Sequence, residues 1–268
     1  MKILLIGITH PVIKTLCESL KNNYEIRYLH YRKLNIKLKE VEYNENIDMV
    51  ISLAPIWEIS KLLIERNIIF SKILAISSTS IMSKLESKNH NDRTLSNKYK
   101  IGEKKIIELC KLRKADYLIY RTTMLWGYNY DKNISKIIKI AKNFHFLIYP
   151  YPSNGLRAPI HFKSLSYFLK IKVEKSVEFK SQIIILVGDK RYRLNEIIKK
   201  ISKRYNSLII PFYIPFRFIL LVNKFFKLNF FQSLGGFLER SSKDLDFYDY
   251  MNLPKEFIPQ NDIEEFFL

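Results

Sequence analysis

The sequence predicts an α/β fold, a doubly wound parallel sheet with a smaller C-terminal region around a cleft. Three observations carry this. A continuous β-favouring run, Ile3 to Ile6, ends in Gly7 and passes into helical spacing at Val12, Leu16 and Leu20, as a strand buried on both faces followed by an amphipathic helix does. Further apolar runs alternate with helical stretches along the chain. At 268 residues, 47% of them hydrophobic, the chain can bury one sizeable α/β core and a smaller appended region.

Composition narrows the class. Cys17 and Cys110 are the two cysteines, both on apolar faces of expected helices, and read as reduced core residues of a cytoplasmic protein and not as a disulfide or metal pair. His10 and Pro11 break the N-terminal apolar run and no small-residue cleavage site follows, so this run reads as a strand and not a signal peptide. Net charge is +19, which attracts anions: nucleotides, nucleic acid or acidic lipid. The lysines are dispersed, however, in runs such as Ile137-Ile-Lys-Ile-Ala-Lys and Ile197-Ile-Lys-Lys-Ile-Ser-Lys. These read as solvated faces of amphipathic helices, and no helix-turn-helix, zinc or RNA-binding signature accompanies them, which disfavours a nucleic-acid partner.

The elements follow in order. Tyr24 to Leu29 is the second expected strand, leading to His30-Tyr-Arg32-Lys33. Asp48 to Pro55 is a third buried strand, with Trp57 to Ile68 as its helix. Lys72-Ile-Leu-Ala-Ile-Ser77-Ser78-Thr79-Ser80 is a strand delivering hydroxyls at its carboxyl end, the edge where open parallel sheets bind ligands; a run of hydroxyls there is also ordinary cap and turn chemistry. A helix containing Leu95, Tyr99 and Glu103 comes next, then a strand and loop from Asp116 through Arg121 to Tyr128. Gln182 to Asp189 is another strand with a terminal turn, and Leu194 to Tyr205 a helix with lysines outward. Leu208 to Phe231 is rich in Phe but carries Pro211, Pro215, Arg217, Lys224 and Lys227, which argues against a spanning helix. It reads as a helix packed on the C-terminal region or as a basic amphipathic segment in peripheral contact with a membrane surface.

These motifs resemble, in order, those of the NAD(P)-dependent epimerase/dehydratase family, extended or atypical short-chain dehydrogenase/reductases acting on nucleotide sugars. Gly7 matches the first residue of Gly-x-x-Gly-x-x-Gly, with His10 and Ile13 where the second and third glycines fall. Ser78 and Thr79 match the hydroxyl partner of the family's catalytic tyrosine. In the register where Glu103 fits the family's glutamate beyond Tyr-x-x-x-Lys, Leu95 takes the tyrosine position and Tyr99 the lysine position. Arg121-Thr-Thr-Met-Leu-Trp126-Gly127 is similar to Arg-Pro-x-x-x-Tyr-Gly. Gly155-Leu-Arg157-Ala-Pro159-Ile160-His161 is similar to the segment entering the helix that returns to the core, with Ser164 in place of the family's aspartate. The tail, with Asp244, Asp246, Pro254, Phe257 and Pro259, resembles the family ending.

The resemblance implies a Rossmann-like sheet in residues 1–150 that binds NAD or NADP, and a small C-terminal substrate region in 151–268 with return elements to the core. It implies cofactor contacts from Gly7, Thr9, His10, Pro11, Val12, Arg32, Leu53, Ala54 and Arg121. Arg32, with Lys33, would favour a 2′-phosphate and hence NADP, although both are equally surface cations of a basic chain. For His10, a positive φ at a glycine position would cost roughly 1–2 kcal/mol. Ser78, Thr79 and Tyr99 are the catalytic candidates, Arg157 and His161 the substrate contacts, Arg157 by its suitability for a diphosphate. No metal is implied. The expected partners are a nucleotide sugar and a second copy of the chain, as a homodimer. Two functions remain open: an epimerase, dehydratase or reductase on a nucleotide sugar, or a non-catalytic relative that keeps the scaffold for binding or assembly.

Overall fold

In the computed structural model the β-favouring runs form a seven-stranded sheet in which every pairing is parallel, flanked by helices on both faces. The structure describes residues 1–7, 9–29, 40–127, 130, 131, 133–151, 153–175, 179–212, 241 and 250–253. The chain begins β1 (Lys2–Ile6), α1 (Pro11–Leu20), β2 (Glu25–Leu29), β3 (Asn46–Ser52), α2 (Ile56–Glu65) and β4 (Ile69–Ser78). It continues through α3 (Ser80–Ser83), α4 (His90–Arg113), β5 (Asp116–Thr122) and β6 (Leu125–Trp126). Then come α5 (Ile134–Phe144), β7 (Phe146–Pro150), β8 (Leu156–Arg157), β9 (Ile160–His161), α6 (Phe162–Glu174) and β10 (Gln182–Val187). The last are β11 (Tyr192–Arg193), α7 (Leu194–Arg204), β12 (Leu208–Phe212) and β13 (Tyr250–Asn252).

The sheet order is β13-β10-β5-β4-β3-β1-β2, so the winding reverses between β1 and β3. A single parallel bridge from Tyr28 to Glu40 extends the β2 edge. Alternation along β1 explains the continuous apolar run: Ile3 and Leu5 pack on one face with α1 and α6, Leu4 and Ile6 on the other with α2 and α4. Each fully buried side chain of this kind contributes about 1.5–3 kcal/mol, so both helix layers are needed to cover these strands. In α1, Val12, Ile13, Leu16, Cys17 and Leu20 form the buried stripe. Both cysteines are free and buried, as expected.

The helix α4 opens with Asn89, whose Oδ1 accepts from Asn91 N at 2.8 Å, and closes at Lys114 in the left-handed region, φ 53°. Gly102 lets it press against the start of α2: a Cβ there would meet Trp57 N at 2.7 Å. The helix expected from Trp57 to Ile68 ends earlier, at Glu65, because Asn67 takes φ 46° and turns the chain into β4. A third core, with Trp126, Ile134, Ile138, Leu147, Leu194, Ile197 and Ile201, builds a smaller body from α5, α7 and β7. The Phe-rich segment departs from the helical reading where it begins: Leu208–Phe212 is β12, paired in parallel with β7. Its remainder lies outside the described residues, as do Arg32 and most of the tail. Chain from the second half nonetheless completes the main sheet, through β10 and β13.

Candidate functional site at the carboxyl edge of the sheet

The winding reverses between β1 and β3, and at their carboxyl ends Gly7, Leu53 and Ala54 meet, the place where open α/β sheets bind ligands. Gly7 adopts φ +91°, and an added Cβ would lie 2.9 Å from Ala54 N, so this position needs glycine for its turn and for the neighbouring strand. Leu53 N donates to Ile6 O at 3.1 Å and Ala54 N to Ser52 Oγ at 3.2 Å, which fixes that neighbour.

Thr9 is exposed, and the chain enters α1 through His10, whose N–H donates to Gly7 O at 2.8 Å. His10 has φ −74° and ψ 130°, ordinary extended backbone, so the strain considered for a side chain here does not arise. Its ring serves the helix instead: Nδ1 accepts from Val12 N at 3.3 Å, in place of the usual hydroxyl or carboxylate cap. Pro11 at the first helical position has no N–H to satisfy. Edge contacts to Tyr130 and Phe162, each with centroids 5.0 Å apart, enclose the imidazole. Burial lowers its pKa to about 4, which keeps it neutral and able to accept.

One strand further along, β4 delivers Ser77, Ser78 and Thr79. Cα register pairs Ser77 with Arg121 and Ser78 with Thr122, so Ser77 and Arg121 reach the same face, where α4 brings Glu103. Glu103 is 3% exposed. Its carboxylate accepts from Ser77 Oγ at 2.6 Å and from Arg121 Nε at 3.0 Å and Nη2 at 2.6 Å, a bidentate charged pair. Thr79 Oγ1 donates to Thr122 O at 3.3 Å and Thr122 Oγ1 to Ser77 O at 3.1 Å, so these hydroxyls lock the two strand ends together. Ser78 is only partly buried; its Oγ accepts from Ser80 N at 3.1 Å and lies near the Tyr99 phenol. Burial raises the Tyr99 pKa, with the Ser78 hydroxyl opposing. Lys98, one of the two lysines flanking Tyr99 in sequence, places Nζ 5.9 Å from the Trp57 ring centroid, and Trp57 meets Tyr99 edge-on at 5.3 Å. Tyr99 is therefore a neutral phenol, a proton donor more than an acceptor.

Arg157 lies on β8, which pairs antiparallel with β11; its Nη1 donates to Leu156 O at 2.7 Å. His161, 1% exposed, caps α6 by the same device as His10: Nδ1 accepts from Lys163 N at 3.2 Å. Trp126 packs against it edge-on at 4.8 Å, and a Cβ on Gly127, at φ +127°, would meet its Nε2 at 2.6 Å. Ser164 is buried inside the first turn of α6 rather than at its cap.

The structure thus brings Gly7, His10, Pro11, Val12, Leu53 and Ala54 to one side of the edge, and Ser78, Thr79 and Arg121 to the ends of the next two strands, with Tyr99 of α4 beside them. His161 sits beneath, in the packing. Trp57 and Tyr130 join the site unheralded, for nothing in their local sequence marks them. The Glu103 pairing does leave a signal, since Glu103 is the one acid between Asp92 and Glu108. Among the described residues no group of three His, Cys, Asp or Glu side chains is placed to hold a metal ion.

The residues at the start of α1 fit a dinucleotide diphosphate with one exchange. A helix N-terminus offers its orphan amides to an anion, and the strongest candidate donor, Val12 N–H, already has an acceptor in His10. A phosphate oxygen would be a stronger acceptor for that N–H than the neutral imidazole, and would compete with His10 for it.

No family model matches the chain, and no curated protein matches its sequence. Solved structures do share its architecture. UDP-glucuronic acid 4-epimerase from Bacillus cereus, in complex with UDP-glucuronic acid and NAD, is 16% identical with a TM-score of 0.64, over 80% of this chain and 86% of that one. UDP-N-acetylglucosamine 4-epimerase from the same organism is 16% identical with a TM-score of 0.60, over 90% and 98%. TunA, an NAD-dependent NDP-hexosamine 5,6-dehydratase involved in tunicamycin biosynthesis, is 10% identical with a TM-score of 0.62, over 80% and 85%. At these identities the likeness establishes the fold, a Rossmann-like α/β sheet of the kind the motifs pointed to.

Proposed function

We propose that this chain is an NAD(P)-dependent epimerase/dehydratase-like protein that takes a nucleotide-linked sugar at the carboxyl edge of its sheet. The observation that carries the reading is the placing of Ser78, at the end of β4, near the buried Tyr99 phenol of α4, one strand from the point where the winding reverses. The solved neighbours of the same architecture, bound to UDP-sugar and NAD, support it. A bound nicotinamide would supply the hydride acceptor or donor. The turn at Gly7, the start of α1 and the Leu53–Ala54 backbone would hold the dinucleotide, with Arg32 selecting a 2′-phosphate. Ser78 would orient a sugar oxygen and the neutral Tyr99 phenol would give it a proton. Arg157 would meet the diphosphate of the nucleotide sugar, and a homodimer remains the expected assembly.

A second reading has its own observation. Arg121 and Ser77 are committed to Glu103, and among the described residues no lysine lowers the Tyr99 pKa, the service that the lysine of Tyr-x-x-x-Lys performs. A relative that binds nucleotide sugars without hydride transfer fits that arrangement. Titration of the protein with NADPH, NADP, NADH and NAD, followed by nicotinamide fluorescence and thermal shift, separates the two. Micromolar binding is expected, with stabilisation of about 2.7 kcal/mol at 100 times the dissociation constant. Failure of all four at millimolar concentration overturns the oxidoreductase reading in favour of the second.

A further inference from the structure

We propose that the outer face of the β7–β12 ribbon is a docking surface for an acidic lipid bilayer. Parallel register sets Leu208 beside Phe146 and Ile210 beside Ile148. Strand alternation sends Leu147, between them, into the third core at 3% exposure. The four neighbours point outward: Phe146 is 38% exposed, Ile148 58%, Leu208 66% and Ile210 40%. Phe144 extends the strip at 62% exposure, its ring 6.1 Å from that of Phe146. Scattered single apolar residues on a surface need no explanation, but five contiguous ones do.

The surrounding charge says what would cover them. None of the 26 acidic residues falls within 132–173 or 197–238, the two stretches that supply α5 and β7 on one side and most of α7 with β12 on the other. The last turns of both helices are basic, with Lys142 on α5 and Lys203 and Arg204 on α7. Those helix ends meet at the head of the ribbon, where Ser207 Oγ donates to Ala141 O at 3.0 Å and Leu208 N to His145 O at 2.8 Å. An apolar strip headed by cations, on elements without acids of their own, matches the acyl boundary and the anionic headgroups of a bilayer at once. A second copy of the chain would set cation against cation. Nucleic acid would leave the aliphatic Ile148, Leu208 and Ile210 without a use. The chain also leaves β12 into a stretch whose sequence carries Arg217, Lys224 and Lys227 among phenylalanines, continuous in character with the strip. Among the described residues no helix is long and apolar enough to cross a membrane, so the contact proposed is peripheral.

Sedimentation of the full chain with vesicles tests this, using phosphatidylcholine alone and phosphatidylcholine with phosphatidylglycerol. The wild type should sediment with the acidic vesicles at about 0.1 M salt and lose about tenfold in partitioning at about 0.5 M, where screening is stronger. Phe146→Ser with Ile148→Ser should lower partitioning about tenfold, as should Lys142→Glu with Lys203→Glu. All four side chains are exposed, so unchanged thermal melts should accompany both variants. The proposal fails if the wild type ignores acidic vesicles, or if the serine variant still binds them as the wild type does. It fails equally if that variant only turns a dimer into a monomer, or if the basic residues prove to serve RNA while vesicles go unbound.

Discussion

The imidazole of His10 should make this protein sensitive to mild acid. In the unfolded chain a histidine takes up its proton near pH 6.5, whereas in the folded protein burial holds His10 down to about 4. Between these values the unfolded state binds more protons, so stability rises with pH, is complete above about 6.5, and is lost as pH falls toward 4. A tenfold difference in proton affinity between the two states is worth about 1.36 kcal/mol, and at pH 5 the weighted populations leave a loss of about 2 kcal/mol relative to pH 7. The mechanism is doubled, because protonated Nδ1 can no longer accept from Val12 N–H and α1 loses its cap. Asparagine caps helices without titrating, so His10→Asn removes the charge chemistry and retains the cap. Urea unfolding of both proteins at pH 7 and pH 5 gives the comparison, in which the remaining titrating groups are common. The wild type should lose about 2 kcal/mol more than His10→Asn over this interval. Equal losses in the two proteins would refute the assignment of a buried, neutral cap.

Three other outcomes are expected. Glu103→Gln should destabilise the fold by about 2–3 kcal/mol in chemical unfolding, below the roughly 3–5 typical of fully buried pairs because Arg121 retains some solvent contact; a loss under about 0.5 kcal/mol would mean the carboxylate is not what holds the ends of β4 and β5 together. Gly102→Ala should cost about 2 kcal/mol or more despite the better helix propensity of alanine, because its methyl meets the Trp57 and Ile56 backbone, and a stabilised variant would deny that close approach. Tyr99→Phe should lower kcat for nucleotide-sugar turnover about a hundredfold with little change in KM, as loss of a proton donor does, while an unaltered kcat would remove Tyr99 from the chemistry.

Much of this architecture can be read from the chain because its strands are buried on both faces. Ile3–Ile6 and Ile73–Ile76 are legible as continuous apolar runs since no solvent face interrupts them. Strand-end chemistry is harder. Ser77, Arg121 and Glu103 lie on three elements, and only the parallel register of β4 with β5 shows that the first two face α4 together. His10 is legible as a departure from glycine, but not as a cap, because a histidine acceptor at a helix start has no spacing signature. The motif points His161 at substrate, whereas it holds α6 from within the core; a histidine before a helix is compatible with either. Leu208–Phe212 lies within the Phe-rich stretch 208–231, read from sequence as a packed helix or a basic amphipathic segment, because a short apolar run does not by itself separate strand from helix. What decides for a strand is β7 alongside, a neighbour distant in sequence.

The order of the main sheet has a consequence for biosynthesis. One edge of β10 is covered by β13, where Ile185, Leu186 and Val187 pair with Tyr250, Met251 and Asn252. The run Gln182-Ile-Ile-Ile-Leu-Val is uncharged, strongly β-favouring and free of proline, the kind of segment that recruits strands from other chains when its edge is bare. On the ribosome, everything between Val187 and Tyr250 must be made before the covering strand exists. Until then that edge of β10 has no β13 beside it, and β13, three residues long, covers only its carboxyl half, Ile185 to Val187.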